Sequence, residues 1–273
     1  MQVDGNNTDH MDHTEGQERL QIDLNCDMGE GFGAYAFGHD EELLPLITSA
    51  NLACGFHAGD PSVMRLTVGK CLEAGVAVGA HPGLPDRQGF GRRVMAMKPE
   101  EIYDCMLYQI AALEGFVRAA GGRLQHVKPH GALYHMANSS RDAAEAVIRA
   151  VASLDEELYL YAQSGSLVLE LAEQLGLRTV AEAFADRRYQ ADGTLMPRHL
   201  PGAAALTEAE AAEQALRVVQ EGAVHAAGGQ AIPVRAGTIC IHGDSSTAVQ
   251  TALAVRQALE ANNVRVCRPS SDG

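Results

Sequence analysis

Polar and ionisable side chains follow the ends of most of the short apolar segments in this sequence. In SANLACGFHAGDP, residues 49–61, an apolar run leads into His57 and Asp60, and glycines flank the histidine. Asp60 precedes Pro61, so it could equally cap a helix that begins there. Histidine and aspartate together suit proton transfer or metal binding. Whether His57 belongs to a site depends on what the other segments bring to the same place.

Three other segment ends carry polar residues at a spacing of two, which on a strand places them on one face: Asp23, Asn25 and Asp27; Lys128 and His130; His242 and Asp244. Two further ends carry His81 with Arg92, and Glu182 with Asp186 and Arg187. Asp244 precedes SST and could instead cap a helix. Buried charges are costly unless they are paired, bind a metal or meet a charged ligand. The pattern therefore predicts one shared polar site.

The predicted site has three groups of members. The candidates for catalysis are Asp23, Asn25, Asp27, His57, His81, Lys128, His130, Glu182, His242 and Asp244. The candidates for binding substrate or phosphate are Arg92, Asp186 and Arg187, because arginine binds carboxylate and phosphate through two hydrogen bonds. Whether a metal is bound stays open, and its candidate ligands are Asp27, His57, His81, His130 and His242.

Strand and helix signals alternate along the chain, which favours a parallel sheet with covering helices. The segment 98–122 begins with proline and glutamates and ends in two glycines, and TEAEAAEQALRVVQEG carries a capping box. We predict an irregular (β/α) barrel of about seven parallel strands over residues 20–273, as one domain, with an open doubly wound sheet as the alternative. Residues 1–19 are predicted to form a disordered extension.

Composition excludes several functional classes. The net charge of −14 argues against binding to nucleic acid or to anionic lipid. No apolar run reaches the ~20 residues of a membrane span, and no secretory signal is recognisable at the N-terminus. The six cysteines form no CxxC pair, which favours reduced thiols and a cytoplasmic location. P-loop, HExxH and GxSxG motifs are absent, but metal ligands contributed by separate strands would leave no local motif.

Six segments resemble motifs of the LamB/YcsF family, in the family's order and over roughly residues 20 to 260: DLNCDMGEGFG, SANLACGFHAGDP, GAHPGLPDRQGFGRR, VKPHGALY, EAFADRRYQADGTLMPR and ICIHGD. The resemblance implies a barrel related to the glycoside hydrolase and deacetylase barrels. It also implies hydrolysis of 5-oxo-L-proline to L-glutamate with ATP, expected as its Mg²⁺ complex, converted to ADP and phosphate. The partners that it implies are two further subunits, B and C.

This chemistry assigns hypothetical roles to the candidates. Lys128 and Arg187 would neutralise anionic oxygens, and Asn25 would bind the lactam amide. The four candidate histidines would transfer protons or bind a metal. The carboxylates would orient the histidines or hold a divalent ion; they are Asp23, Asp27, Glu182 and Asp244.

Two other functions are compatible with the same residues. One is a stand-alone metal-dependent deacetylase or amidohydrolase, which would contain a metal and need no ATP. The other is a non-catalytic subunit that binds a lactam or a sugar and presents it to a partner.

Overall fold

A computed structural model describes residues 20–197, 200, 203 and 205–270, so the predicted extension 1–19 lies outside the described residues. Seven parallel strands close into a barrel, because the first strand pairs with the second on one side and with the ninth on the other. This confirms the predicted barrel. The described strands are β1 Gln21–Met28, β2 Ser49–Ala53, β3 Ala77–His81, β4 Leu124–Val127, β5 Tyr159–Gln163, β6 Thr179–Phe184, β7 Ala223–His225, β8 Ala231–Pro233, β9 Thr238–Ile241 and β10 Arg265–Val266.

Strands β1 to β6 and β9 form the barrel, and β10 extends the sheet beside the start of β1. The described helices are α1 Asp40–Leu43, α2 Pro61–Glu73, α3 Pro99–Ala119, α4 Gly131–Ser139, α5 Arg141–Ala152, α6 Leu167–Gln174, α7 Glu208–Glu221 and α8 Ala248–Ala261. Among these helices, none is long and apolar enough to cross a membrane.

Local sequence signals explain where several helices begin. Asp60 accepts hydrogen bonds from the backbone amides of Ser62 and Val63, so it caps α2. The predicted capping box of α7 is present between Thr207 and Glu210. These caps fix the helices directly after the loops that carry the candidate residues.

The barrel is apolar on its helix-facing side and polar inside. In β1, Leu24, Cys26 and Met28 are fully buried in the apolar core, whereas Asp23 and Asn25 alternate with them. Alternation along a strand sends these two sets to opposite faces. The interior of a (β/α) barrel is usually packed with branched apolar side chains, so this polar interior requires a network of partners.

Several described elements were not predicted from the sequence. Helix α4 begins immediately after His130, where no helix was expected. The antiparallel pair β7–β8 lies outside the barrel sheet, between α7 and β9. Helix α1 continues into a 3₁₀ turn, Leu44–Leu46.

Candidate active site

A pocket of about 520 Å³, called the first pocket below, opens where the barrel strands end. Its described lining includes seven of the predicted site residues: Asp27, His81, Arg92, Lys128, His130, Arg187 and His242. The other six predicted residues contact this group or lie beneath it: Asp23, Asn25, His57, Glu182, Asp186 and Asp244.

Lys128 is the central cation of the site, and only 3 % of its side chain is exposed. Its Nζ lies 2.8 Å from Glu182 Oε1 and 3.1 Å from Asp27 Oδ1. Burial lowers the pKa of this ammonium, but Asp27 and the other neighbouring groups outweigh it and hold the pKa well above 10.5. Lys128 therefore keeps its positive charge at the floor of the first pocket, paired with Asp27 and Glu182, and this charge can stabilise negative charge that develops on a substrate oxygen.

Asp27 lies between Lys128 and His81. Its Oδ2 is 3.2 Å from His81 Nε2, while its Oδ1 faces Lys128. Burial raises the pKa of the carboxyl, but His81 and Lys128 outweigh this effect and hold the pKa well below 3.8. Asp27 is therefore a carboxylate at neutral pH.

Asn25 forms hydrogen bonds with both Lys128 and Glu182. Its Nδ2 donates to Glu182 Oε1 at 2.9 Å and to Thr238 Oγ1 at 2.8 Å. Its Oδ1 accepts from Asn51 at 2.7 Å and from Lys128 at 3.2 Å. Because both donors and both acceptor positions are used, Asn25 orients the carboxylate and the ammonium and has no remaining capacity for a lactam.

Asp23 lies deeper in the barrel, among hydroxyl groups. Its carboxylate accepts hydrogen bonds from Thr48 at 2.6 Å, Ser49 at 2.7 Å, Thr238 at 2.5 Å and Tyr161 at 3.3 Å. Burial raises the pKa of this carboxyl more than the hydroxyl bonds lower it. Asp23 does not line the first pocket, so its placement gives no support to the predicted catalytic role.

His81 and His130 face each other through two ring nitrogens. His81 Nδ1 lies 2.7 Å from the carbonyl oxygen of Lys128, and His130 Nε2 lies 2.8 Å from that of Phe90, so each of these nitrogens donates a proton. In neutral rings, His81 Nε2 and His130 Nδ1 would then present lone pairs to each other across 2.9 Å. A further proton or a metal cation must therefore lie between the two rings, where the Asp27 carboxylate balances its charge.

His57 completes the histidine cluster. Its ring stacks on that of His130, with centroids 3.8 Å apart and planes within 3°. Both ring nitrogens of His57 and Glu30 Oε1 are buried without a hydrogen-bond partner, and His57 Nε2 lies 3.6 Å from this oxygen. Burial lowers the pKa of His57 far below 6.5, and it lowers that of His130 to about 3, so both imidazoles are neutral at pH 7. Neutral imidazoles can accept a proton from water or bind a metal.

A divalent cation fits this cluster. Donor atoms of Glu30, His57, His81 and His130 lie within 4.8 Å of one another. Imidazole with carboxylate suits ions such as Zn²⁺ or Mn²⁺ better than Mg²⁺. A metal lies near the plane of each imidazole that binds it, so one ion cannot be held by both of the stacked rings. The ligands of a single ion would be Glu30, His81 and one of the stacked pair; such an ion polarises carbonyl groups and lowers the pKa of bound water.

The remaining charged residues of the site are His242, Asp186, Arg92, Asp244 and Arg187, and they pair with one another or with the backbone. His242 Nδ1 lies 3.0 Å from both carboxylate oxygens of Asp186, which fix the orientation of its ring. Arg92 pairs with Asp244 at 3.0 Å, so Asp244 does not cap α8. Arg187 is 9 % exposed and donates to the carbonyl oxygen of Met196.

Sequence comparison places the chain in a family. Residues 22–272 match the family model of LamB/YcsF. The chain belongs to the LamB/YcsF family. This confirms the resemblance that the six segments indicated, and five of these segments, all except SANLACGFHAGDP, contribute residues to the described lining of the first pocket.

Relatives of this LamB/YcsF chain cover nearly its whole length. It is 53% identical over 246 residues to the 5-oxoprolinase A subunit of Bacillus licheniformis, covering 90% of this chain and 97% of that protein. It is 51% identical over 250 residues to the protein of the same name from Bacillus cytotoxicus, covering 92% and 99%. The crystal structure of the lactam utilization protein from Thermus thermophilus superposes with a TM-score of 0.86 at 50% identity, covering 91% of this chain and 99% of that one.

Several residues of the site were not predicted from the sequence. Glu30 lies in the glycine-rich loop after β1. The only feature of the sequence that could have indicated it as a site residue is that it is a charged residue shortly after the end of a strand. Asn51 hydrogen-bonds to Asn25, and His126 hydrogen-bonds to Asn51. Both are polar residues inside predicted strands, and this feature could have indicated them as site residues. A Cβ on Gly79 would overlap the His126 ring, so this glycine makes room for the imidazole. Tyr134, which donates to Glu182 Oε2 at 2.8 Å, lies on the unpredicted α4.

Proposed function

We propose that this chain is the A subunit of an ATP-dependent 5-oxoprolinase that converts 5-oxo-L-proline to L-glutamate, with ATP converted to ADP and phosphate. The names of the relatives support this substrate. The observation that carries the chemistry is the buried Lys128 ammonium at the floor of the first pocket, facing Asp27 and close to neutral imidazoles.

The proposed reaction divides into steps that these groups can serve. The lactam oxygen attacks the γ-phosphorus of ATP and ADP leaves. Water then adds to the activated carbon and loses a proton to a neutral imidazole such as that of His57, whose ring nitrogens have no hydrogen-bond partner among the described residues. The ring C–N bond breaks as the nitrogen takes up a proton, and a second water hydrolyses the resulting acyl phosphate to glutamate and phosphate. Lys128 and Arg187 oppose the negative charge of the transferring phosphoryl group.

The proposal includes partners and a location. ATP enters as its Mg²⁺ complex, and the active assembly contains subunits B and C. The six unpaired cysteines support a reducing compartment, which we propose is the cytoplasm.

An assembly assay tests this function. Glutamate and ADP are measured from 5-oxoproline and ATP with this chain alone, with B and C alone, and with all three together. We expect activity only in the complete mixture. Full activity from B and C without this chain would contradict the proposal.

The histidine cluster favours a second candidate, a metal-dependent amidohydrolase or deacetylase that acts without ATP. It predicts bound transition metal in the purified chain, and release of ammonia or acetate when no nucleotide is added. Metal analysis together with that assay separates the two candidates.

A further inference from the structure

Six buried side-chain polar atoms lack a hydrogen-bond partner among the described residues, and they fall into two groups of three. One group, on Glu30 and His57, belongs to the histidine cluster. The other consists of both amide atoms of Asn138 and the hydroxyl of Ser166. An unsatisfied buried polar group costs about 1–3 kcal/mol. The second group therefore needs its own explanation, and a ligand would supply it.

Asn138 and Ser166 line a second cavity of about 390 Å³. It lies between α4, the loop that joins β5 to α6, and β8. Its described lining shares His135, Thr194 and Leu195 with the first pocket, so the two spaces are neighbours.

The charges of the two spaces differ. The first pocket is lined by three cationic side chains and one carboxylate: Lys128, Arg92, Arg187 and Asp27. Among the described residues that line the second cavity, none is a lysine or an arginine, and two are carboxylates, Glu182 and Asp192. Glu182 is paired with Lys128 at 2.8 Å. An anionic group is therefore favoured in the first pocket, whereas the second cavity suits a neutral group rich in hydrogen-bonding atoms.

We propose that the second cavity binds the nucleoside end of ATP, with the phosphates extending toward the first pocket. This rests on the proposed function, because it requires ATP to be bound by this chain. A nucleotide has the required distribution of charge: a neutral base and sugar joined to an anionic chain.

The lining matches a nucleoside in detail. The polar atoms of Asn138 and Ser166 are buried in the cavity wall, so a side-chain rotation must turn them toward a ligand. The Asn138 amide then offers one donor side and one acceptor side, which is the complement of an adenine edge. Leu195, Ile232 and Pro233 supply apolar surface for the ring. The Ser166 hydroxyl and the Asp192 carboxylate can bond to ribose hydroxyls, a contact that carboxylates commonly make.

The test uses Asn138→Leu and Ser166→Ala in the assembled complex, with Asn262→Leu as the matched control on the exposed end of α8. We expect Asn138→Leu to raise the KM for ATP about tenfold, equivalent to ~1.4 kcal/mol of lost binding, and Ser166→Ala to raise it by a smaller factor. The KM for 5-oxoproline should not change, and adenosine should inhibit the native complex in competition with ATP. An unchanged KM for ATP in both variants, or an increase only in the KM for 5-oxoproline, would overturn the proposal.

Direct binding separates this inference from the proposed function. Adenosine is titrated calorimetrically into the full native chain, alone and in the complex, and into each variant after circular dichroism has shown that it folds. Binding that is weakened by Asn138→Leu and not by Asn262→Leu supports the nucleoside site, even if the complex releases no glutamate. If adenosine binds neither the native chain nor the complex, the site is refuted, whatever the turnover.

Discussion

Asp23 and Asp27 lie on the same face of the same strand, yet their surroundings differ in kind. Four hydroxyl groups surround Asp23, and burial raises its pKa. Asp27 faces Lys128 and His81, which hold its pKa below the usual value. One strand thus carries one carboxyl group surrounded by hydroxyl groups and one carboxylate paired with an ammonium and an imidazole.

The difference separates two layers of polar residues along the barrel axis: a lower layer around Asp23 and an upper layer around Asp27, which lines the first pocket. The lower layer, around Asp23, closes the barrel with hydrogen bonds from hydroxyl groups and does not line the first pocket. The upper layer concentrates charge where the strands end, next to the first pocket. We infer that Asp23 stabilises the fold and that Asp27 serves the chemistry.

The largest expected effect comes from Lys128→Met in the upper layer. Without the ammonium, Glu182 becomes a buried carboxylate with no counter-charge and Asp27 keeps only His81 as a partner, so the free energy of unfolding should fall by about 3–5 kcal/mol. Turnover in the assembled complex should be lost as well. Urea denaturation and glutamate release measure the two effects. Lys70→Met, which removes an exposed ion pair with Glu41, is the control; equal destabilisation in both variants would argue against the central role of Lys128.

The lower layer is tested through the pH dependence of stability. Because folding raises the pKa of Asp23, its stabilising contribution is present below the unfolded pKa of about 4 and is lost as the pH rises through the folded value. Asp23→Asn removes this titration. We therefore expect the native chain to lose stability relative to the variant as the pH rises above about 4, measured by denaturation at each pH. A difference that does not change with pH would show that Asp23 keeps an ordinary pKa.

A smaller effect is expected at Gly83, beside the histidine cluster. A Cβ there would lie 2.5 Å from His57 Nδ1, so Gly83→Ala should displace the His57 ring and reduce turnover, at a stability cost of about 1–3 kcal/mol. Gly115→Ala in α3 has no atom within 4 Å of its added Cβ and should stabilise the chain by about 0.5–1 kcal/mol. Thermal denaturation and turnover compare the two; native turnover in Gly83→Ala would show that the position of His57 does not matter.

The sequence predicts much of this arrangement, because periodicity and helix caps are local. The spacing of Asp23, Asn25 and Asp27 correctly predicts that all three face into the barrel. It cannot predict which layer each residue occupies, since that depends on Thr48, Ser49 and Thr238 from neighbouring strands for Asp23 and on Lys128 for Asp27. Depth in a barrel is a property of strand register and is not encoded in the spacing along one strand.

The histidine cluster shows the same limit. The sequence indicates His57, His81 and His130 separately, as polar residues at strand ends. Their stacking, the shared proton or cation between two rings, and the approach of Glu30 depend on loop conformations that no local pattern specifies. For the same reason the second cavity was not predicted, because its Asn138 lies on a helix that the sequence pattern did not indicate.

The most direct test of the two-layer account is the turnover of Asp27→Asn and Asp23→Asn chains, each assembled with subunits B and C and each shown by circular dichroism to be folded. The account predicts that Asp27→Asn lowers kcat for glutamate release by a factor of about 10²–10⁴, while Asp23→Asn keeps the turnover of the native chain. Equal losses in both variants, or native turnover in Asp27→Asn, would contradict it.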